Sequence, residues 1–134
     1  MVLFVCVRNS GKSQMAAGLM RQAAGDRVVA LSAGTDPGAK LNALSVPTLA
    51  EVGADIAGEH PRPVDPLLLH TVDRVVVLGR EADLDVPPGV QVGRWETDEP
   101  AQRGIEGMER MRLVRDEIAA RVRACSPNSA PPTV

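Results

Sequence analysis

The stretch Phe4-Val5-Cys6-Val7-Arg8-Asn9-Ser10-Gly11-Lys12-Ser13-Gln14-Met15-Ala16 admits two readings, and each is a catalytic loop. Taken from its end, Gly11-Lys12-Ser13 closes the nucleotide-binding pattern G-x-x-x-x-G-K-[ST], with Cys6 where the first glycine belongs. Taken from its start, Cys6 follows an apolar run and opens a short turn into a helix, the setting of a nucleophilic thiolate. Val2 to Val7 is apolar without a break, the pattern of a strand covered on both faces of a parallel sheet. Ser13 to Ala24 reads as a helix, with Met15, Leu19, Met20 and Ala23 at helical spacing and Gly25 at the C-terminal cap.

Working outward, the order of elements repeats. Arg27 to Ser32 is a second strand running into Ser32-Ala33-Gly34-Thr35. Leu44 to Val52 is a helix that stops at Gly53, and Asp65 to Leu69 is a short one with Pro66 in its first turn. Asp73 to Gly79 and Gln91 to Trp95 are two further strands. From Ile105 the spacing Ile105, Met108, Met111, Val114 or Arg115, Ile118, Val122 marks a long amphipathic helix. Strands alternating with helices predict a single α/β domain over residues 1–124: a four-stranded parallel sheet with helices on both faces. Sites in such sheets lie at the carboxyl ends of strands, where Cys6 stands. Cys125 begins the polar, proline-rich segment 125–134, expected to be a disordered tail.

The chain has 134 residues, enough for one core, and carries a net charge of −2. Its length weighs against the nucleotide reading, which needs a later apolar strand ending in a magnesium-binding Asp. The run Arg74 to Gly79 ends instead in Gly79 and Arg80. A Cys side chain would also crowd the tightest part of a nucleotide loop. No basic stripe suggests nucleic acid, and no apolar run of about 18 residues suggests a membrane span. Without a secretory leader the protein is expected to be cytoplasmic, and two distant cysteines, Cys6 and Cys125, fit a reducing compartment. His, Cys and carboxylates show no metal-ligand spacing, so neither a metal nor a bound cofactor is expected.

If the turn from Cys6 to Ser13 wraps a tetrahedral anion, the N–H groups of Val7, Arg8, Asn9, Ser10, Gly11, Lys12 and Ser13 and the positive helix end converge on it. That field favours a thiolate at Cys6. Asn9 and Gly11 suit tight or left-handed backbone, Ser13 can donate to the sulfur, and Lys12 adds a positive charge. Arg8 either adds to the field or points to solvent. The plain alternative is a small buried cysteine at a strand end; the register of Asn9, Ser10, Gly11, Lys12 and Ser13 behind an apolar strand favours the catalytic loop.

These residues resemble the low-molecular-weight protein tyrosine phosphatases and their arsenate reductase branch. That family's loop is Cys, five residues and Arg, then Ser or Thr, with Asn three places after the Cys. The likeness continues through Gln14-Met15-Ala16, Ser32-Ala33-Gly34-Thr35, Glu51 to Ile56, the Asp73 to Gly79 strand and Trp95-Glu96-Thr97-Asp98-Glu99-Pro100. Lys12 replaces the family's Arg fork by a point charge, which should weaken phosphate ester cleavage most. With Phe4 and Trp95 alone and no Tyr, aromatic walls for phosphotyrosine are lacking too. Lys12 and Gly11 resemble instead the actinobacterial mycothiol-dependent arsenate reductases. The resemblance implies that arsenate is joined to the cosubstrate mycothiol and that a mycoredoxin partner reduces the adduct to arsenite. Thioredoxin-coupled relatives carry two further cysteines soon after the third strand, where this chain has Arg80, Glu81 and Ala82. The general acid that the family places before a Pro is Glu99 or, by side-chain type, Asp98; both also suit capping or charging the last helix. His60 and Arg62 lie in a segment that faces the site in the family, where they contact the thiol or are simply exposed. Trp95 is expected as packing. The rival readings are an atypical tyrosine phosphatase and a non-catalytic oxyanion sensor.

Overall fold

The computed structural model describes residues 1–97, 100 and 104–125. Its order is β1 (Val2–Cys6), α1 (Lys12–Ala24), β2 (Ala30–Gly34), α2 (Ser45–Ala50), α3 (Pro66–Leu69), β3 (Arg74–Leu78), β4 (Gln91–Trp95) and α4 (Gly107–Cys125). All four strands run parallel in the order β2-β1-β3-β4. From β1 the chain crosses to β2 on one side, then returns past β1 to β3 on the other. The carboxyl end of β1 is therefore the point where strand order reverses, and Cys6 is its last residue.

Alternation along the strands divides the core in two, because successive side chains point to opposite faces. Phe4, Val76 and Leu78 join Met15, Leu19 and Met20 of α1, Leu49 of α2, and Met111, Val114, Ile118 and Val122 of α4 on one face. Trp95 belongs to this cluster, its ring centroid 5.7 Å from that of Phe4, so it is packing as expected. Leu3, Val5, Val75 and Val77 face the other way. They meet Leu69 of α3, Val72 and Ala82, with Leu84, Val86 and Val90 from the connection between β3 and β4. One face is thus covered by three helices, the other by a single helical turn and connecting chain.

Several boundaries differ from the sequence reading. β2 begins at Ala30 rather than Arg27, because Gly25–Arg27 forms a 3-10 turn with Gly25 at φ 56° and because pairing with Val2–Cys6 selects Ala30–Gly34. α4 begins at Gly107, which takes a left-handed φ of 65°, and Ile105 and Met108 are only half-buried. Cys125 is the last residue of α4 and packs, half-buried, against the first core cluster. Residues 126–134 of the expected tail lie outside the described residues. No described helix is long and apolar enough to cross a membrane.

Candidate active site

Residues 7–11 make the whole turn between β1 and α1. Its outer edge is bound by the chain that leaves β2. Thr35 N–H donates to the Cys6 carbonyl at 3.1 Å, Asp36 N–H to Val7 at 2.8 Å, Gly38 N–H to Arg8 at 2.9 Å and Asn42 N–H to Ser10 at 2.8 Å. In a trans peptide the carbonyl of one residue and the N–H of the next point in opposite directions, and no peptide bond described here is cis. With four carbonyls turned onto this strap, the N–H groups of Val7, Arg8, Asn9 and Gly11 face the other way. Asn9 N–H shows where that is: it donates to Cys6 Sγ at 3.2 Å. Gly11 then starts α1 without a side-chain cap, and the first-turn N–H groups of a helix point along its axis toward its start.

Asn9 holds the turn together. It takes a left-handed φ of 55°, which Asn tolerates better than most residues, and it is fully buried. Its Oδ1 accepts from the Arg62 backbone N–H at 3.0 Å and from Gln14 Nε2 at 3.2 Å. Two donors fill that oxygen and orient the amide, so Nδ2 donates to Ser13 Oγ at 2.7 Å. Ser13 Oγ lies 2.9 Å from Cys6 Sγ, a contact in which either group can donate. A thiolate at Cys6 has no hydrogen to give, so in that state the sulfur receives Asn9 N–H and Ser13 O–H together. Such an arrangement stabilises negative charge on sulfur.

Gly11 takes no left-handed turn; its φ is −136°. Arg8 spends its guanidinium on Asp36 at 2.9 Å, out in solvent. Lys12 is half-buried as the first residue of α1. Ser10 Oγ donates to the Arg8 carbonyl at 3.3 Å. Asp98 and Glu99 lie outside the described residues, while Pro100 beside them is buried and accepts from Ile105 N–H. His60 and Arg62 do approach the site, but through the backbone: the His60 carbonyl accepts from Gln14 Nε2 at 3.1 Å, and both side chains are exposed. Gln14, Asp36 and the Arg62 N–H are the partners that sequence reasoning missed. Only Gln14 left a trace, a polar residue on the inward side of an apolar helix. Among the described residues no three His, Cys, Asp or Glu side chains gather as a metal site would need.

A cysteine at the end of a central parallel strand, in a tight turn that leads into a helix, defines the class, and the pattern of the low molecular weight phosphotyrosine protein phosphatase family matches residues 1–127. The chain belongs to that family. Within it, the chain is 36% identical over 130 residues to an arsenate reductase of Bacillus subtilis (strain 168), covering 91% of each. A crystal structure of arsenate reductase from Archaeoglobus fulgidus DSM 4304 superposes with a TM-score of 0.75 at 34% identity, over 91% of this chain and 95% of that one. A thioredoxin-dependent arsenate reductase of Corynebacterium glutamicum gives 0.77 at 31% identity over 91% of this chain; the chain spans 57% of that protein's length.

Proposed function

We propose that the chain is a thiol-dependent arsenate reductase of the reducing cytoplasm, with Cys6 as nucleophile and mycothiol as cosubstrate. The observation that carries this is the contact of Cys6 Sγ with Asn9 N–H and with Ser13 Oγ inside a loop whose N–H groups turn away from the strap. Similarity to arsenate reductases over nine-tenths of the chain selects arsenate among tetrahedral anions. Arsenate oxygens take the N–H groups of residues 7 to 13, and Lys12 supplies the charge that faces them. The Cys6 thiolate attacks arsenic while Glu99 or Asp98 gives a proton to the departing oxygen, which leaves as water. Mycothiol then displaces Cys6 from arsenic. Arsenic is still As(V) at that stage. A second thiol, on a mycoredoxin, attacks the sulfur of the adduct; a disulfide forms as the sulfur–arsenic bond breaks, and the electron pair of that bond stays on arsenic, reducing As(V) to arsenite.

The external thiol follows from the cysteine count. The segment after β3, Gly79 to Ala82, holds no cysteine, and the only other one is Cys125 at the end of α4. The name of the Corynebacterium protein supports a second reading, in which thioredoxin supplies the electrons. Arsenate consumption by the purified protein, measured with mycothiol and mycoredoxin, with thioredoxin and its reductase, and with glutathione and glutaredoxin, separates them. Turnover with mycothiol alone supports the transferase; turnover with thioredoxin alone replaces it by the second reading. Cys6→Ser abolishes turnover in whichever system works, and a fully active Cys6→Ser variant would refute the nucleophile. Steady hydrolysis of an aryl phosphate without arsenate turnover would return the protein to the phosphatases.

A further inference from the structure

We propose that Glu59 is a positioning residue for Cys6, acting through the backbone of residues 60–62 on the donor chain that ends at the sulfur. The inference rests on Cys6 being the nucleophile. Residues 59–63 form no helix or strand beyond a single bridge between Pro63 and Gly34, and His60, Arg62 and Pro63 are exposed. Yet the segment supplies two of the contacts that orient the site. Arg62 N–H is one of two donors on Asn9 Oδ1, and the His60 carbonyl holds the amide of Gln14, which is the other. The Arg62 carbonyl in turn accepts from Gly34 N–H at 2.8 Å.

What secures this segment to the frame is the half-buried Glu59 carboxylate. One oxygen lies 3.4 Å from Arg21 Nη1 and the other 3.3 Å from Arg62 Nη2. Arg21 belongs to α1, and its Nε donates to the carbonyl of Ala30, the first residue of β2, at 3.0 Å. The carboxylate therefore joins the helix that starts at the anion loop, the edge strand and the wall over Asn9. A single exposed ion pair contributes little, but a carboxylate shared by two guanidinium groups, one of them already anchored, holds geometry as a network. If the wall loosens, Asn9 Oδ1 loses a donor, its amide can turn, and the Ser13 hydroxyl is no longer directed at Sγ. The charged groups around the carboxylate are Arg21 and Arg62; those of the loop are Arg8, paired with Asp36, and Lys12.

The test is alkylation of the whole protein by iodoacetamide across a pH series, followed separately at Cys6 and Cys125 by mass spectrometry of the digested peptides. In Glu59→Gln the half-maximal rate at Cys6 should move to higher pH, and the rate at neutral pH should fall about threefold to tenfold, the effect of losing one ordinary hydrogen bond. Cys125 should react unchanged. A role through charge alone gives the opposite sign, because removing a negative group favours the thiolate. Arg21→Gln, which changes charge in the other direction, should move the profile the same way as Glu59→Gln. An unchanged Cys6 profile in Glu59→Gln, a shift to lower pH, or opposite shifts in the two variants would overturn the proposal. Alkylation needs no arsenate, so failure of arsenate turnover is read independently.

Discussion

Ser13 Oγ accepts from Asn9 Nδ2 and sits 2.9 Å from Cys6 Sγ, so its one hydrogen can go to a thiolate there, which has none of its own. Removing the hydroxyl acts twice: the sulfur loses a donor, and a buried amide hydrogen on Asn9 loses its acceptor. For Ser13→Ala, arsenate turnover should fall about tenfold to a hundredfold, as expected when a hydrogen bond to a charged group is removed. Initial rates with saturating thiol measure this, and an unchanged rate would mean that Ser13 only packs. Lys12 carries a different question. An ammonium gives one compact charge, whereas guanidinium grips two oxygens in a planar fork. Lys12→Arg should therefore raise hydrolysis of an aryl phosphate, read by release of the phenol; no gain would show that the missing fork is not what limits ester cleavage.

Between elements, the decisive contact is the approach of β2 to the anion loop. Gly34 pairs with Cys6 at the end of the sheet, and a Cβ built there would lie 2.6 Å from the Val7 carbonyl oxygen and 3.0 Å from Asn9 Cβ. The first of these neighbours is backbone that is itself hydrogen-bonded to Asp36, so it cannot give way without moving the loop. Gly34→Ala should cost about 1–3 kcal/mol of stability, the usual range for overpacking. It should also weaken anion binding more than stability alone explains, since the displaced atoms belong to the loop. Thermal melts with and without arsenate separate the two effects: if the variant keeps the full arsenate-dependent rise in Tm, the loop has not moved.

Across the whole molecule, α2 is tied to α4 by charge as well as by the core. Glu51 accepts from Arg112 Nη2 and from Arg115 Nη1, each at 2.7 Å, and Arg115, itself buried, also donates to the Thr48 carbonyl. Hydrogen bonds from Arg112, then Arg115, lower the Glu51 carboxyl to about 2 from an ordinary 4.5. A group whose value is depressed by folding stabilises the fold above its unfolded value and loses that contribution as pH falls through the folded one. Tm of the native protein should thus exceed that of Glu51→Gln by a constant margin above about pH 5. The margin should close between about 4.5 and 2. A margin independent of pH would show that the arginines bind the side chain for its shape rather than its charge.

The sequence by itself determined the elements and the place of Cys6 among them. Unbroken apolar runs, helical spacing and the Cys6 to Ser13 register depend on neighbours along the chain, so they are legible there. Asn9 at a left-handed position, Ser13 beside the sulfur and Trp95 as packing all follow from local chemistry, and the structure places them so. Starts and ends were less legible: Arg27 to Val29 look like strand, but pairing with β1 begins at Ala30. Only the tertiary structure decided that Arg62 lends a backbone N–H to Asn9 and that residues 35–42 turn the loop's carbonyls outward. Backbone groups are alike in every residue and leave no mark in sequence. Which of them meet depends on the sheet bringing together segments far apart along the chain.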